Sequence, residues 1–254
     1  MKQKTWISAV TFSIIINLLF LSGTFVIIQK KGGIPWAKYK LSMLFDTKGT
    51  KKIARDCPNN RLSLYKKLPI YSTDIIFLGD SIFSCGEWHE LMGTNVAKNR
   101  SINGDDTHNI LERLEYSIRG NPRHVVLLCG INNFQKGVPL KRSINEYKKI
   151  VDEILSKSKT TSIWLLPIFP INKKLYWEYI VPKYPGINIP DQKMVQLMNK
   201  AIASLQNHPR VHFYDTSDML NEKGELNNKY TFDGLHLNGL GLIKIAEALK
   251  SVLL

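Results

Sequence analysis

Hydrophobic and polar positions divide this chain into three regimes. From Trp6 to Ile28 there are 23 positions without a charge, bounded by Lys2 and Lys4 before and by Lys30 and Lys31 after. As a helix rising 1.5 Å per residue, such a run spans about 35 Å, enough to cross a bilayer core of about 30 Å. A cleaved signal peptide is the rival reading, with an apolar region of about 7–15 residues and small residues at the cut. Here the run is longer, and bulky Phe20 and Leu21 precede the small pair Ser22-Gly23. The expectation is an uncleaved anchor over residues 1–31, with Trp6 in the interfacial belt and Asn17 tolerated in mid-span.

The second regime, residues 32–71, is polar and basic. Gly32-Gly33 and Pro35 break the helix, and Lys51-Lys52 precedes the turn signal Cys57-Pro58-Asn59-Asn60. It reads as a solvated juxtamembrane linker, because its charges are spaced out rather than clustered.

In the third regime, residues 72–254, short apolar runs alternate with amphipathic segments. Asp74–Leu78, His124–Cys129, Ser162–Leu166 and Val211–Tyr214 read as buried strands. Thr107–Ile118, Ser143–Leu155, Asp191–Leu205 and Gly239–Leu254 carry apolar residues at helical spacing. Strands alternating with helices, without two-residue hairpins, imply a parallel sheet covered on both faces. The predicted fold is a three-layer α/β/α sandwich behind an N-terminal transmembrane helix.

Composition changes this picture in two places. Among 254 residues the formal charge is +14, and the first acidic residue is Asp46, so the membrane-proximal region is purely basic. Its orientation stays open: the short basic start favours an exported domain on the extracytoplasmic side, whereas Lys30, Lys31, Lys38 and Lys40 favour the cytoplasmic side. Most of the surplus lies beyond the apolar run, but no nucleic-acid recognition module accompanies it, so nucleic acid is not the expected partner. The three cysteines, Cys57, Cys85 and Cys129, are too few and too scattered for a disulfide framework or a zinc cluster.

Ligands of doubly wound sheets sit outside the carboxyl ends of the strands, and four short segments fall there. Gly79-Asp80-Ser81 follows the first strand. Its glycine permits a sharp turn, and a serine opening a helix exposes its hydroxyl beside an unpaired backbone N–H suited to an oxyanion. Taken alone, Asp80 or Ser81 is as well explained as a helix cap. Asp233-Gly234-Leu235-His236 precedes the last helix, and an aspartate three residues ahead of a histidine can fix its tautomer and make it a base for a serine. Gly130-Ile131-Asn132-Asn133 follows the second predicted strand and offers an uncharged amide donor in Asn132. Asn103-Gly104-Asp105-Asp106-Thr107 offers the N–H of Gly104, with an ordinary turn and cap as the plain alternative.

In this order the four segments resemble the blocks of the SGNH (GDSL-type) hydrolase family, and Leu237-Asn238-Gly239-Leu240-Gly241 resembles its usual continuation. The likeness covers about residues 72–254. It implies a flavodoxin-like fold and esterase, lipase, thioesterase or carbohydrate O-acetylesterase activity without a metal or other cofactor. Three positions depart from the family pattern: Ile82 after the serine, Asn133 after Asn132, and Gly-Asp-Asp-Thr from Gly104. The implied catalytic residues are Ser81, Asp233 and His236, with an oxyanion hole of Ser81, Gly104 and Asn132.

The expected substrate is an ester-bearing glycan or lipid, with an acetylated cell-surface carbohydrate preferred. Pro170–Pro190 is rich in aromatics and lysines, so Tyr176 and Trp177, together with Trp88, are candidate substrate contacts. A loop folded on its own aromatics is the alternative. The same residues suit transfer of acetyl to a sugar hydroxyl, lysophospholipase or thioesterase action, or a non-catalytic carbohydrate-binding role on the same scaffold. His89, His108, His124, His208 and His212 lack metal-type spacing and are assigned no role.

Overall fold

The computed structural model describes residues 2–31, 33–34, 37–38, 41 and 56–254, and only the backbone at 2–11, 31 and 56–59. The Trp6 ring and most of the basic stretch before Asp56 lie outside the described residues. The apolar run forms one helix, Lys2–Lys31. Its segment Phe12–Lys30 is long and apolar enough to be a candidate membrane span, and none of it is buried against protein.

Five parallel strands make the sheet: β1 Ile75–Gly79, β2 Ala97–Asn99, β3 His124–Leu128, β4 Ser162–Leu165 and β5 Val211–Phe213. Their order is β2-β1-β3-β4-β5. Every residue of β1 and β3 is buried, which is why these strands read as unbroken apolar runs. Ile75 lies opposite His124 and Gly79 opposite Leu128, so β1 and β3 end level with one another. The chain leaves β1 for one edge and β3 for the other, which opens a crevice between their carboxyl ends.

Helices Thr107–Arg113, Leu140–Lys157 and Gln192–Ser204 pack in sequence against one another, and Trp88–Met92 packs against Gly239–Leu253. Of the apolar positions expected on these faces, Tyr147, Ile150, Val151 and Ile154 are buried in one helix and Val195, Met198 and Ile202 in the next, whereas Ile144 is half-buried and Met194 and Leu197 are exposed.

Some segments differ from expectation. Asp56–Tyr65 is a helix rather than a turn, because Pro58 sits in its first turn, where a missing N–H is harmless. Tyr65 is buried, its hydroxyl donates to the Ser101 carbonyl at 3.2 Å, and the Arg100 guanidinium lies over its ring. The segment read as linker thus packs on the sheet domain from this helix onward. Strand β2 escaped the pattern because only Ala97 of its three residues is fully buried. The helix expected over Thr107–Ile118 is two helices that meet at Leu114.

Candidate active site

The Gly79-Asp80-Ser81 turn begins where β1 passes the end of β3. A Cβ on Gly79 would lie 2.3 Å from the Leu128 carbonyl oxygen, so only glycine lets the strands run this close. Asp80 then caps the four-residue helix Ser81–Ser84, its Oδ1 accepting from the Ile82 N–H at 3.0 Å. Ser81 opens that helix with its Oγ 2.9 Å from His236 Nε2.

His236 is delivered by a tightly stapled loop. Asp233 Oδ1 accepts from the N–H groups of Leu235 (3.0 Å) and His236 (2.8 Å). Its Oδ2 lies 2.7 Å from His236 Nδ1. An ionised Asp233 holds the ring proton on Nδ1 and leaves Nε2 free to accept from the serine hydroxyl. Thr231 Oγ1 accepts from the Gly234 N–H and donates to the His236 carbonyl. Gly234 has φ +84°, and a Cβ there would stand 2.5 Å from both Asn172 O and Tyr176 N. The segment after β4 therefore backs the loop directly, and the Asn172 N–H donates to the Gly234 carbonyl at 2.8 Å.

Asn132 begins in the first turn of the short helix Ile131–Gln135 beyond β3, and its amide donates to the Asp105 carbonyl at 2.9 Å. An amide nitrogen has two hydrogens, so one remains for a ligand. Asp106 caps the Thr107–Arg113 helix in a reciprocal box with Asn109, and Gly104, at φ +79°, lies two residues before that cap. The cap and the candidate oxyanion loop are thus neighbours rather than alternatives. Ser84 Oγ bonds Asn103 Oδ1, tying the Ser81–Ser84 helix to this loop. Two of the family departures have partners: Ile82 is buried, and Asn133 accepts from the Thr107 N–H at 3.1 Å while donating to its hydroxyl at 2.7 Å.

The two carboxylates nearest the centre titrate in opposite directions. Burial works to raise Asp233, but hydrogen bonds from the His236 ring and from the backbone N–H groups of His236 and Leu235 prevail and hold it below its ordinary value. Asp80 is pushed up to about 7 by burial, against a single backbone bond from Ile82 and the nearby His236. Among the described residues its Oδ2 has no hydrogen-bond partner. Burial also pushes the Cys129 thiol well up, which makes it a packing group rather than a nucleophile. Among the described residues no three His, Cys, Asp or Glu side chains cluster as metal ligands would.

Two candidate substrate contacts are corrected. Trp88 is fully buried, stacked on Phe77 at 4.0 Å with its indole N–H donating to the Phe83 carbonyl. Tyr176 is also fully buried and accepts from the Gln135 amide at 2.9 Å. Neither offers surface to a ligand, because each is packed into the protein interior. Trp177 is half-buried. Sequence reasoning missed Phe232, which is 56% exposed and stacked on the His236 ring at 5.9 Å. Its place immediately before Asp233 was the available signal. A cavity of about 450 Å³ runs along Ile102–Asp105, with Leu62, Lys66 and Tyr116 among its walls.

A five-stranded parallel sheet with a serine, histidine and aspartate gathered beyond its carboxyl edge defines the SGNH class of acylhydrolases. The GDSL-like Lipase/Acylhydrolase family matches residues 77–242, and the chain belongs to it. It is 30% identical over 190 residues to human platelet-activating factor acetylhydrolase IB subunit alpha1, covering 71% of this chain and 75% of that protein. A solved Streptococcus pneumonia structure, provisionally assigned as a platelet activating factor, is 28% identical with a TM-score of 0.69 over 78% of this chain and 94% of the other. Axe2, an acetylxylan esterase from Geobacillus stearothermophilus studied as a catalytic mutant, shares the fold at 19% identity, with a TM-score of 0.51 over 73% of this chain and 95% of that one.

Proposed function

We propose that this acylhydrolase cleaves an acetyl ester through Ser81, His236 and Asp233. The observation that carries the reading is the continuous relay from Ser81 Oγ to His236 Nε2 (2.9 Å) and from His236 Nδ1 to Asp233 (2.7 Å). Ser81 Oγ bonds the ester carbonyl carbon as its proton passes to Nε2, and the carbonyl oxygen becomes an oxyanion. The N–H groups of Ser81 and Gly104 and the Asn132 amide receive that charge. Collapse breaks the bond to the alcohol, which leaves with the proton from His236. Water, deprotonated by the same imidazole, then releases acetate from the acyl-serine.

The acetyl group is proposed on the 28–30% identity to the acetylhydrolase alpha1 subunits. For the alcohol half we favour a cell-surface carbohydrate, supported by exposed Tyr179, Tyr184, Lys173 and Lys174 in the same segment as half-buried Trp177. The Lys2–Lys31 helix serves as an anchor with the catalytic domain on the extracytoplasmic face, a topology that protease accessibility in intact cells would test. The deciding experiment compares p-nitrophenyl acetate, long-acyl esters and acetylated oligosaccharides. Ser81→Ala is expected to lower acetate release at least about 10⁴-fold, and a Ser81→Ala protein with parental turnover contradicts the reading.

A further inference from the structure

Arg113 closes the Thr107–Arg113 helix, is 3% exposed, and spends every guanidinium nitrogen inside the protein. Its Nε donates to Asp105 Oδ2 at 2.6 Å, Nη1 to the Arg100 carbonyl at 2.7 Å, and Nη2 to the Gly79 carbonyl at 3.1 Å. Gly79 lies two residues before Ser81, and Asp105 immediately follows Gly104. The same Asp105 accepts the Asn132 amide on its backbone carbonyl. From the other side Lys136 Nζ donates to the Gly104 carbonyl (3.0 Å), Asp106 Oδ2 (2.7 Å) and Asn109 Oδ1 (3.2 Å). Lys136 is itself fixed to the Asn132 helix through its backbone N–H, which donates to the Asn132 carbonyl at 2.9 Å.

Each of the three proposed oxyanion donors is therefore one or two residues, or one hydrogen bond, from an atom held by Arg113 or Lys136. Burying the Arg113–Asp105 pair carries a desolvation penalty that its attraction need not recover, so stability alone does not account for it. A fixed fork reaching two loops at once is what alignment of donors from separate strands requires. Resting on the esterase reading above, we propose that Arg113 and Lys136 are positioning residues of the oxyanion hole. Arg113 sets the oxyanion loop against the nucleophile turn, and Lys136 sets the Gly104 peptide against Asn132.

The test uses the full chain in detergent, with active sites counted by fluorophosphonate titration so that unfolded protein drops out of kcat. Lys136 has a half-exposed side chain and can be replaced without opening the core. Lys136→Met is expected to lower kcat per titrated site on p-nitrophenyl acetate about tenfold, and Arg113→Lys about a hundredfold, the scale of a misplacement near 1 Å. KM should stay within twofold, and the rate of phosphonylation, which also places an oxygen in the hole, should fall in parallel. Lys136→Arg is expected to restore most of kcat. Parental kcat per site in both Lys136→Met and Arg113→Lys overturns the proposal while leaving the esterase reading intact. A parent that hydrolyses acetate esters without labelling at Ser81 overturns the reading, and the proposal with it.

Discussion

The Gly79–Ser81 turn and the Asp233–His236 loop each bury a carboxylate near His236, and the two behave oppositely. Asp233 receives two backbone N–H groups and the imidazole, every bond favouring the anion. Asp80 receives the Ile82 N–H, and among the described residues its second oxygen has no hydrogen-bond partner. Both are almost inaccessible to solvent, at 3% and 1%, but burial prevails at Asp80 and hydrogen-bond donors prevail at Asp233. Burial and donors together set them apart: Asp233 is held as the anion beside the His236 ring, whereas Asp80, a helix cap, is only about half ionised near pH 7. Their aromatic neighbours differ likewise, since Trp88 below the Gly79–Ser81 turn is core and Phe232 beside the histidine faces solvent.

After Ser81→Ala itself, the largest expected effect breaks the Asp233 side. Asp233→Asn can present an amide hydrogen to Nδ1, force the ring proton onto Nε2 and deprive Ser81 of its acceptor. Its kcat on p-nitrophenyl acetate should fall about 10³-fold or more, with the fold retained by circular dichroism. Next comes Trp88→Ala, which should cost about 3–5 kcal/mol of unfolding free energy in denaturant titrations.

Asp80→Asn keeps an acceptor for the Ile82 N–H but cannot ionise. The unfolded Asp80 ionises near its ordinary value of 3.8 and the folded one at about 7, so its contribution is full below the former. It declines as pH rises from there to about 7, because the folded state then binds the extra proton. Asp233, depressed in the folded state, contributes above the ordinary carboxylate value and loses that contribution as pH falls through its folded one. Melting curves across pH 3–8 should therefore show Asp80→Asn gaining at least about 3 °C at pH 8 and nothing near pH 3, with kcat within about threefold of the parent. An unchanged melting temperature at pH 8 removes the distinction between the two acids. The smallest effect is Phe232→Ala, expected to lower kcat/KM about three- to tenfold, or about 1 kcal/mol, with little change in melting temperature.

What the sequence revealed and concealed follows from distance along the chain. The four motifs were legible because each sets its chemistry within a few residues after a strand or before a helix. Asp233 reaches His236 across only three positions. The buried strands showed themselves as apolar runs, and β2 did not because it has three residues and Lys98 in the middle. Arg113 and Lys136 were invisible because their partners lie as far as 34 and 32 residues away, where no local pattern links them. Trp88 and Tyr176 looked like ligand platforms because composition records an aromatic ring but not the side of the wall it occupies. The Asp56–Tyr65 helix was hidden by Pro58 and by its low apolar content, although its Tyr65 is anchored to Ser101.

The central claim is that Ser81 is the group acylated in turnover. Peptide mass spectrometry after fluorophosphonate treatment of the full chain tests it most directly. One phosphonyl adduct is expected, on Ser81, forming as esterase activity disappears and greatly slowed in Asp233→Asn. An adduct on another residue such as Cys85, or complete loss of activity with Ser81 unmodified, would contradict it.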